Sequence, residues 1–258
     1  ISKEEFRTVG SEQDTIQLLF VGDLLLDRGV REKIKHAGIE TLFSSSIDSV
    51  FSSNDLVIAN LECPATLIEE PVNKKYIFRA DPVWLNTLKA HKISHLNLAN
   101  NHSMDQGRNG LIDTDKNIRE VEMISLGFGF SADEACKAKL IVSEPRNIYL
   151  LSSLQVSSEN WLYFENKPCV CERSLSKIEI QVEALKKADK NCIVLVQLHW
   201  GIEHVSVPNY SQKQAVLGLV NAGADCIIGH HPHVVQTVEN INGTPVFYSI
   251  GNFIFDQK

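Results

Sequence analysis

The stretch Asp225-Cys226-Ile227-Ile228-Gly229-His230-His231-Pro232-His233 joins an apolar strand to three imidazoles within four residues. A histidine ring is polar and needs partners when buried, so core packing does not explain this run. In α/β folds, ligands bind beyond the carboxyl ends of the strands, and the run predicts such a fold. Two histidines at i and i+2 can turn neutral ring nitrogens toward one divalent ion or toward a pair. The alternative interpretation is a histidine-rich surface loop without a role.

Four other predicted strands also end in groups that bind metals. Acidic and amide residues often follow strands as caps and turns, so a single such position is weak support. Five strand ends with oxygen and imidazole groups together predict a site for one or two divalent ions such as Mn, Fe or Zn. The other four positions are Asp23 after 16–22, Glu62 after 56–61, Asn101 and His102 after 95–100, and His199 after 193–198.

Apolar strands alternate with amphipathic helical patterns along the chain, which predicts an α/β domain. Helices are predicted at 28–37, 41–51, from Asp81-Pro82 onward, 105–121, 176–187 and 211–222. An antiparallel strand pair is predicted at 139–142 and 147–151, and a hairpin at 234–238 and 245–250 across Asn242-Gly243. Mixed strands with outer helices predict a four-layer α-β-β-α sandwich of two mixed sheets flanked by helices.

Composition limits the class of protein. The chain has 258 residues, of which 43% are hydrophobic, and this predicts one domain over 1–258 with a polar N-terminal extension at 1–14. A net charge of -7 argues against nucleic-acid binding. No apolar stretch reaches the roughly 18 residues typical of a membrane span. Because the chain opens at Ile1 without an initiator Met, we expect that an N-terminal targeting or anchoring segment has been removed.

Six cysteines in a chain of this length do not predict a disulfide framework. Cys169 and Cys171 can bind a metal or pair elsewhere, but ordinary thiols are the favoured interpretation. Cys63 adjoins Glu62 and can line the site.

Five motifs follow the order of those in calcineurin-like metallophosphoesterases, and with a sixth they resemble the CapA/PgsA branch, the capsule or poly-γ-glutamate biosynthesis proteins. They span residues 22 to 257, and as a set they are highly specific. The motifs are Gly22-Asp23-Leu24-Leu25-Leu26-Asp27-Arg28, Asn60-Leu61-Glu62-Cys63-Pro64-Ala65-Thr66, Asn100-Asn101-His102-Ser103-Met104-Asp105-Gln106-Gly107, His199-Trp200-Gly201, Gly229-His230-His231-Pro232-His233-Val234-Val235-Gln236 and Gly251-Asn252-Phe253-Ile254-Phe255-Asp256-Gln257.

This resemblance implies a set of metal ligands and a general acid. His102 carries over as the acid, and Asp105 either orients it or caps the helix that follows. His230 replaces His231 as a ligand if the strand ends one residue earlier. If the resemblance holds, the rings of His199 and His231 lie within about 10 Å of each other, since one ion binds nitrogens at about 2 Å. The implied ligands are Asp23, Glu62, Asn101, His199, His231 and His233.

Two positions depart from the superfamily pattern. Its first motif is Asp-x-His, but this chain has Asp23-Leu24-Leu25, so one imidazole is missing. Its second motif usually ends in Asp, where this chain has Glu62. One ion site is therefore weakened, empty, or completed by water or Asp27. Because residues i and i+2 share a side in extended chain, we expect Leu25 to face the pocket, the alternative being that it packs in the core.

Other polar residues have weaker assignments. Arg28 and Arg79 can hold an anionic substrate, phosphate or γ-linked carboxylate, and the alternative for each is a surface salt bridge. Glu203 can orient His199 or a water in the site. Trp200 and Trp161 are interpreted as packing residues, and His36, His91 and His95 as residues without a functional role.

Two functions are compatible with these features. The first is a metal-dependent hydrolase that cleaves a phosphoester or γ-glutamyl-type bond of an anionic polymer at the cell surface or in the periplasm, anchored to the membrane through the removed N-terminal segment. The second is an accessory or scaffold protein that keeps a vestigial site and binds the polymer or membrane-bound capsule synthase subunits. Since members of the family generally run longer, the domain is expected to continue beyond Lys258.

Overall fold

The computed structural model describes residues 15–158 and 164–256. Its strands, numbered in chain order, are β1 (Leu18–Leu24), β2 (Leu56–Leu61), β3 (Ile93–Asn97), β4 (Ile124–Leu126), β5 (Phe128–Gly129), β6 (Lys139–Val142), β7 (Ile148–Leu154), β8 (Cys169–Val170), β9 (Ile193–His199), β10 (Cys226–His230), β11 (Val238–Ile241), β12 (Thr244–Phe247) and β13 (Asn252–Ile254). Its helices are α1 (Arg28–Ala37), α2 (Ser45–Ser52), α3 (Leu85–Ala90), α4 (Gly107–Glu120), α5 (Ala132–Ala135), α6 (Leu175–Ala188) and α7 (Tyr210–Ala222), with 3-10 turns at Ile39–Leu42 and Pro82–Trp84.

Two large sheets form the centre of the fold. The first sheet has five strands in the order β13-β1-β2-β3-β4, and all its neighbours run parallel. The second sheet has six strands in the order β11-β12-β10-β9-β7-β6, parallel at its centre and antiparallel at both edges. A small third sheet pairs β5 with β8.

Alternating side chains divide the apolar core into layers. In β1, Leu18 and Phe20 join the cluster between the two sheets, whereas Leu19 and Val21 join the cluster under helices α1 to α4. In β9, Leu195 belongs to the same inter-sheet cluster, and its neighbours contact helices α6 and α7 on the far side. Both sheets are thus buried on two faces, as parallel sheets require. The predicted four-layer α-β-β-α sandwich is confirmed.

Helix termini follow the local sequence. Asp27 caps α1, since its Oδ1 accepts a hydrogen bond of 2.9 Å from the amide of Arg28. A capping box between Asn209 and Gln212 begins α7, and Gly223 ends it in the left-handed conformation. The first two turns of the helix predicted from Asp81-Pro82 form as a 3-10 turn followed by α3.

Two strand boundaries differ from the sequence prediction. β3 ends at Asn97 rather than at residue 100, because the Asn97 side chain accepts a hydrogen bond from the amide of Ala99 and turns the chain. β11 begins at Val238 rather than at residue 234, and its ladder with β12 runs from Val238 opposite Phe247 to Ile241 opposite Thr244. Val235 makes only an isolated bridge.

A disulfide corrects the interpretation of one cysteine. Cys136, which follows α5, is bonded to Cys171, so Cys171 is not an ordinary thiol. β8, which directly precedes Cys171, pairs with β5. Trp161 and the extension 1–14 lie outside the described residues. Within those residues, no helix is both long and apolar enough to cross a membrane.

Candidate metal centre

The predicted ligands come from strands that end at the same edge of the two sheets. Asp23 lies in β1 and Glu62 directly follows the neighbouring parallel strand β2. His199 is the last residue of β9, and its partner across the ladder is His230 at the end of β10. Because the carboxyl ends of parallel strands meet, all of these side chains are buried in one region.

Two groups of three residues each offer ligand atoms within 4.8 Å of one another. One group is Glu62, His231 and His233; the other is Asp23, Glu62 and His199, so the groups share Glu62. The rings of His199 and His231 lie 4.9 Å apart, well inside the separation that the resemblance requires. Asn101 Oδ1 lies 2.8 Å from His199 Nε2. The structure therefore brings the six predicted ligands together.

Glu62 is the least satisfied residue of the group. Its side chain is fully buried, and neither carboxylate oxygen accepts a hydrogen bond from the described residues. Its Oε1 lies 3.7 Å from the Nε2 atoms of His199 and His233. Burial, together with the nearby charge of Asp23, holds the pKa of the Glu62 carboxyl well above its usual range. Buried carboxylates are paired or coordinate metals, so this donor set fits a divalent cation.

Asp23 is held by protein groups on several sides. Asn60 Nδ2 donates a hydrogen bond of 2.7 Å to Asp23 Oδ1. His230 Nδ1 lies 3.2 Å from the same oxygen, and His233 Nδ1 lies 3.2 Å from Oδ2. Although burial alone raises the pKa of Asp23, these two imidazoles lower it well below its usual range. Asp23 is thus a fixed negative charge beside Glu62.

The imidazoles divide into neutral and charged groups. Burial, reinforced by neighbouring imidazoles, lowers the pKa of His199 well below its usual value and that of His231 to about 4. Their rings are therefore neutral and offer lone pairs, as metal ligation requires. Burial alone also lowers the pKa of His233, but Asp23 and Glu62 raise it to about 9. Its proton accordingly compensates the carboxylates while no cation is bound.

The structure distinguishes His231 from His230. β10 extends to His230, whose Nε2 lies 2.8 Å from Gln197 Nε2 and whose Nδ1 faces Asp23. The Nδ1 atoms of both histidines lack a hydrogen-bond partner among the described residues, so this atom does not separate them. His231 belongs to a group that can hold an ion, and His230 lies behind Asp23.

The backbone at His231 and His233 is in the left-handed region, which β-carbon-bearing residues rarely adopt. Such conformations cost about 1–3 kcal/mol each and collect at functional sites. The intervening Pro232 accepts a hydrogen bond of 2.8 Å from the amide of His204, which ties this turn to the loop after β9.

His102 and Asp105 form a second polar pair at the edge of the centre. His102 Nδ1 lies 2.8 Å from Asp105 Oδ2, and Asp105 is fully buried. Asp105 is not the residue that precedes α4, because Gln106 occupies the capping position. Burial lowers the pKa of His102 against the opposing effect of Asp105. Of the two roles open to Asp105, the geometry matches orientation of His102.

Arg28 and Arg79 have different surroundings in the structure. Arg28 is half-exposed, with Nε 3.3 Å from Asp256 Oδ2 and its guanidinium 5.8 Å from the centre of the Phe78 ring. Arg79 bonds Glu69 and the Leu67 carbonyl, which matches the salt-bridge alternative.

Glu203 does not orient His199. The two ring nitrogens of His199 lie 3.2 Å from Asn60 Nδ2 and 2.8 Å from Asn101 Oδ1, while Glu203 is exposed beside His204. Trp200 is buried and its indole donates to the Tyr248 carbonyl, as expected of a packing residue.

Asp27, Cys63 and Leu25 do not contribute to the centre. Asp27 accepts hydrogen bonds from the amides of Arg28 and Arg79, so its oxygens are engaged away from the ligands. Cys63 and Leu25 are fully buried in the core cluster under α1 to α4. β1 ends at Leu24, so Leu25 lies just beyond the strand, where the alternation of extended chain need not continue from Asp23.

Sequence reasoning missed the amides and the lysine that support the ligands. Asn60 lies inside apolar β2 and contacts both Asp23 and His199, and Gln197 lies inside apolar β9 and contacts His230. An amide within an otherwise apolar strand was the available signal, because a buried amide needs partners. Lys74 lies in an aperiodic polar segment that gave no such signal.

The chain resembles known capsule proteins over almost its whole length. Residues 17–257 match the family model described as bacterial capsule synthesis protein PGA_cap. The chain is 33% identical over 249 residues to the PGA biosynthesis protein CapA of Bacillus subtilis (strain 168), covering 95% of this chain and 64% of that protein. It is 29% identical over 255 residues to the capsule biosynthesis protein CapA of Bacillus anthracis, covering 95% of this chain and 61% of that one. The chain thus spans less than two thirds of the length of these two relatives.

The fold has a structural counterpart among phosphoesterases. The crystal structure of the calcineurin-like phosphoesterase YfkN from Bacillus subtilis superimposes with a TM-score of 0.54 at 13% identity, covering 92% of this chain and 81% of that one. At this identity the likeness establishes the shared fold alone.

Proposed function

The chain belongs to the bacterial capsule synthesis protein family and has a calcineurin-like phosphoesterase fold, and from this premise we propose that it is a metal-dependent hydrolase of capsule or poly-γ-glutamate biosynthesis. Its substrate is a phosphoester or a γ-glutamyl-type bond in an anionic polymer. The observation that carries the proposal is Glu62, a fully buried carboxylate whose oxygens lack hydrogen-bond partners among the described residues and face three imidazoles.

The donor set suits one or two divalent ions such as Mn, Fe or Zn. A bound divalent ion supplies Lewis-acid polarisation and an activated water. Glu62 is shared by both groups of ligand atoms and is the residue suited to bridge two ions. The remaining proposed ligands are Asp23, Asn101, His199, His231 and His233.

His102 is proposed as the general acid. Asp105 occupies its Nδ1 side at 2.8 Å, which leaves Nε2 as the atom that takes up and donates the transferable proton. The Phe78 ring packs 4.3 Å from the His102 ring and limits its rotation. A positioned acid of this kind donates a proton to the leaving group as the scissile bond breaks.

Arg28 is proposed to hold an anionic group of the substrate. Among the described residues its one ion pair is that of Nε with Asp256, which leaves the outer guanidinium nitrogens for a carboxylate or phosphate. The guanidinium lies over the Phe78 ring, whose neighbour is His102, so it borders the proposed acid. The left-handed backbone of Arg28, with φ of 54°, is a further strained position near the centre.

Metal analysis paired with a substrate screen tests the proposal. Protein purified without chelator is analysed for bound Mn, Fe and Zn, and then assayed against phosphoesters and γ-glutamyl amides before and after chelation. We expect bound metal and hydrolysis of one class that chelation abolishes. Protein that neither retains nor rebinds a divalent ion contradicts the proposal.

Leu25 favours a second candidate function. It stands where the superfamily motif has histidine, and it is fully buried in the core. A centre short of one imidazole is compatible with an accessory protein that binds the polymer or membrane-bound synthase subunits without catalysis. Metal binding without turnover of either substrate class is the outcome that this alternative predicts.

A location outside the cytoplasm completes the proposal. The disulfide between Cys136 and Cys171 supports it, because disulfides persist in oxidising compartments. We place the protein at the cell surface or in the periplasm, anchored to the membrane and close to capsule synthase subunits. Accessibility of the intact protein to protease added to whole cells or spheroplasts tests this location.

A further inference from the structure

A buried lysine lies next to the candidate metal centre, in the strap that we define as residues 72–80. The strap has no helix and only a single bridge residue, Ala80, which pairs with Ala65. Lys74 extends from it into the protein, and its side chain is only 2% exposed. A lysine is almost never fully buried unless it is paired, so its partners are informative.

The ammonium of Lys74 joins two parts of the turn that follows β3. Its Nζ lies 2.6 Å from Asp105 Oδ1 and donates a hydrogen bond of 2.8 Å to the carbonyl oxygen of Asn101. Asn101 is a proposed metal ligand, and Asp105 orients the proposed acid, His102. One side chain therefore contacts the backbone of a ligand and the carboxylate behind the acid.

The rest of the strap holds the same carboxylate. The amide of Phe78 donates a hydrogen bond of 2.7 Å to Asp105 Oδ2, the oxygen that faces His102. The amide of Val72 donates to the backbone carbonyl of Asp105 at 3.0 Å. Asp105 is thus fixed by Lys74 on one oxygen and by Phe78 and His102 on the other.

Charge explains why a lysine is needed here. Asp105 is fully buried, and a buried carboxylate is stable as an anion only with a cation or several donors beside it. Lys74 supplies that cation from the side opposite His102. Without it, Asp105 faces the imidazole as an uncompensated charge, and Asn101 loses the bond that holds its carbonyl.

We propose that Lys74 is a positioning residue of the metal centre, which fixes the Asn101–Asp105 turn so that the Asn101 amide and the His102 ring keep their places. The strap is then part of the site, although none of its residues is a proposed ligand. This inference rests on the proposed function in one respect, namely that Asn101 is a ligand.

The test compares Lys74→Met with wild type by two measurements that do not require turnover. The first is amide hydrogen exchange of residues 98–106 in the metal-free protein. The second is calorimetric titration of Mn²⁺ into chelator-treated protein. We expect exchange in 98–106 to accelerate at least tenfold, and Mn²⁺ binding to weaken by roughly the 10–100-fold typical of residues that orient metal ligands.

Lys186, in helix α6 beside the second sheet, provides a matched control. Its Nζ lies 2.5 Å from Asp225 Oδ2 and donates to the Cys192 carbonyl at 2.7 Å, which is the same pattern of one carboxylate and one backbone oxygen. Lys186→Met should lower stability without changing exchange in 98–106 or Mn²⁺ affinity. If Lys74→Met does not fold, Lys74→Gln, which keeps a donor in a similar shape, is measured in its place.

The outcomes separate the two proposals. Unchanged exchange in 98–106 in a folded Lys74 variant overturns the positioning role. Equal loss of Mn²⁺ affinity in the Lys74 and Lys186 variants also overturns it, since the effect is then one of general stability. If wild type binds no divalent ion but the Lys74 variant still loosens 98–106, the positioning role holds and the proposed metal-dependent function fails.

Discussion

The Nε2 atom of Gln197 lies 2.8 Å from the Nε2 atom of His230, in a fully buried contact between β9 and β10. On its other side, His230 Nδ1 lies 3.2 Å from Asp23 Oδ1. His230 belongs to neither group of described residues that can hold an ion, whereas the adjacent His231 lies with Glu62 and His233 in one of them. Neighbouring histidines in one motif thus have different surroundings, one behind the ligands and one among them.

Substitution of the two histidines should separate their roles. His231→Ala removes a proposed ligand and should weaken Mn²⁺ binding by well over 100-fold, while His230→Ala should stay within the roughly 10–100-fold typical of groups that orient ligands. Calorimetric titration of both variants measures the difference. Equal losses, or a larger loss for His230→Ala, would reverse the assignment.

The placement of the ligands could be predicted from sequence because it follows from topology. Asp23, Glu62 and His199 stand at the ends of apolar strands, and parallel strands bring their ends to one edge. The turn after β3 was less predictable, because the Asn97 side chain ends that strand early by bonding the amide of Ala99.

Other features depend on contacts between distant segments, which spacing does not encode. Lys74 and Asp105 are 31 positions apart in the chain, and nothing periodic marks the lysine. The disulfide joins Cys136 and Cys171 across 35 positions, and several pairings of six cysteines were equally compatible with the sequence. The direction of Leu25 was not predictable either, because β1 ends at Leu24 and the alternation of a strand need not continue beyond its last residue.

Glu62→Gln should raise the stability of the metal-free protein and abolish its metal binding. The substitution removes a buried ionisable group that has no hydrogen-bond donor among the described residues and whose pKa is raised by burial and by Asp23. We expect the metal-free variant to gain about 1–3 kcal/mol in free energy of unfolding, the usual scale for relieving an unsatisfied buried group. It should also lose Mn²⁺ binding. Urea unfolding and calorimetry measure both effects, and a metal-free variant less stable than wild type would contradict the electrostatic argument.

His102→Ala should keep the fold and the metal while lowering turnover by roughly 10²–10⁴, the usual contribution of a positioned acid. The His102 ring contacts Phe78 and Asp105, and it belongs to neither group of described residues that can hold an ion. Metal analysis of the purified variant is the control. Loss of bound metal would make His102 a ligand instead of the acid.

His91 should make stability depend on pH in a region far from the metal centre. Its ring stacks on Phe43, with Nε2 2.8 Å from Glu40 Oε2 and Nδ1 2.5 Å from Asp48 Oδ1. Burial alone lowers the pKa of His91, but the bonds to Glu40 and Asp48 raise it above its usual value. A raised folded-state pKa gives stability that is complete below the unfolded pKa of about 6.5 and is lost as pH rises through the folded pKa.

Urea unfolding of His91→Gln and wild type between about pH 5.5 and pH 9 tests this sign. The variant should be less stable than wild type at the acid end, and the difference in free energy of unfolding should shrink toward pH 9. A pH-independent difference for His91→Gln would contradict the pairing.

His95 should have the opposite effect, since burial lowers the pKa of its ring to about 4. Its contribution to stability is complete above the unfolded pKa and falls as pH decreases. The difference in free energy of unfolding between wild type and His95→Gln should therefore be smaller at the acid end than at pH 9.

Leu25→His tests whether the side chain at position 25 borders the metal centre or packs in the core. Leu25 is fully buried in the core cluster under α1 to α4, and its amide donates to the Ile254 carbonyl at 2.8 Å. A histidine there replaces an apolar side chain by a polar ring without partners. We therefore expect a loss of about 1–3 kcal/mol in the free energy of unfolding and unchanged metal stoichiometry. Leu24→His, at an equally buried neighbour, is the control for the cost of burying an imidazole. If Leu25→His instead gains bound metal per chain while Leu24→His does not, the side chain at 25 borders the centre, and the missing imidazole is the reason for any weakness of the second ion site.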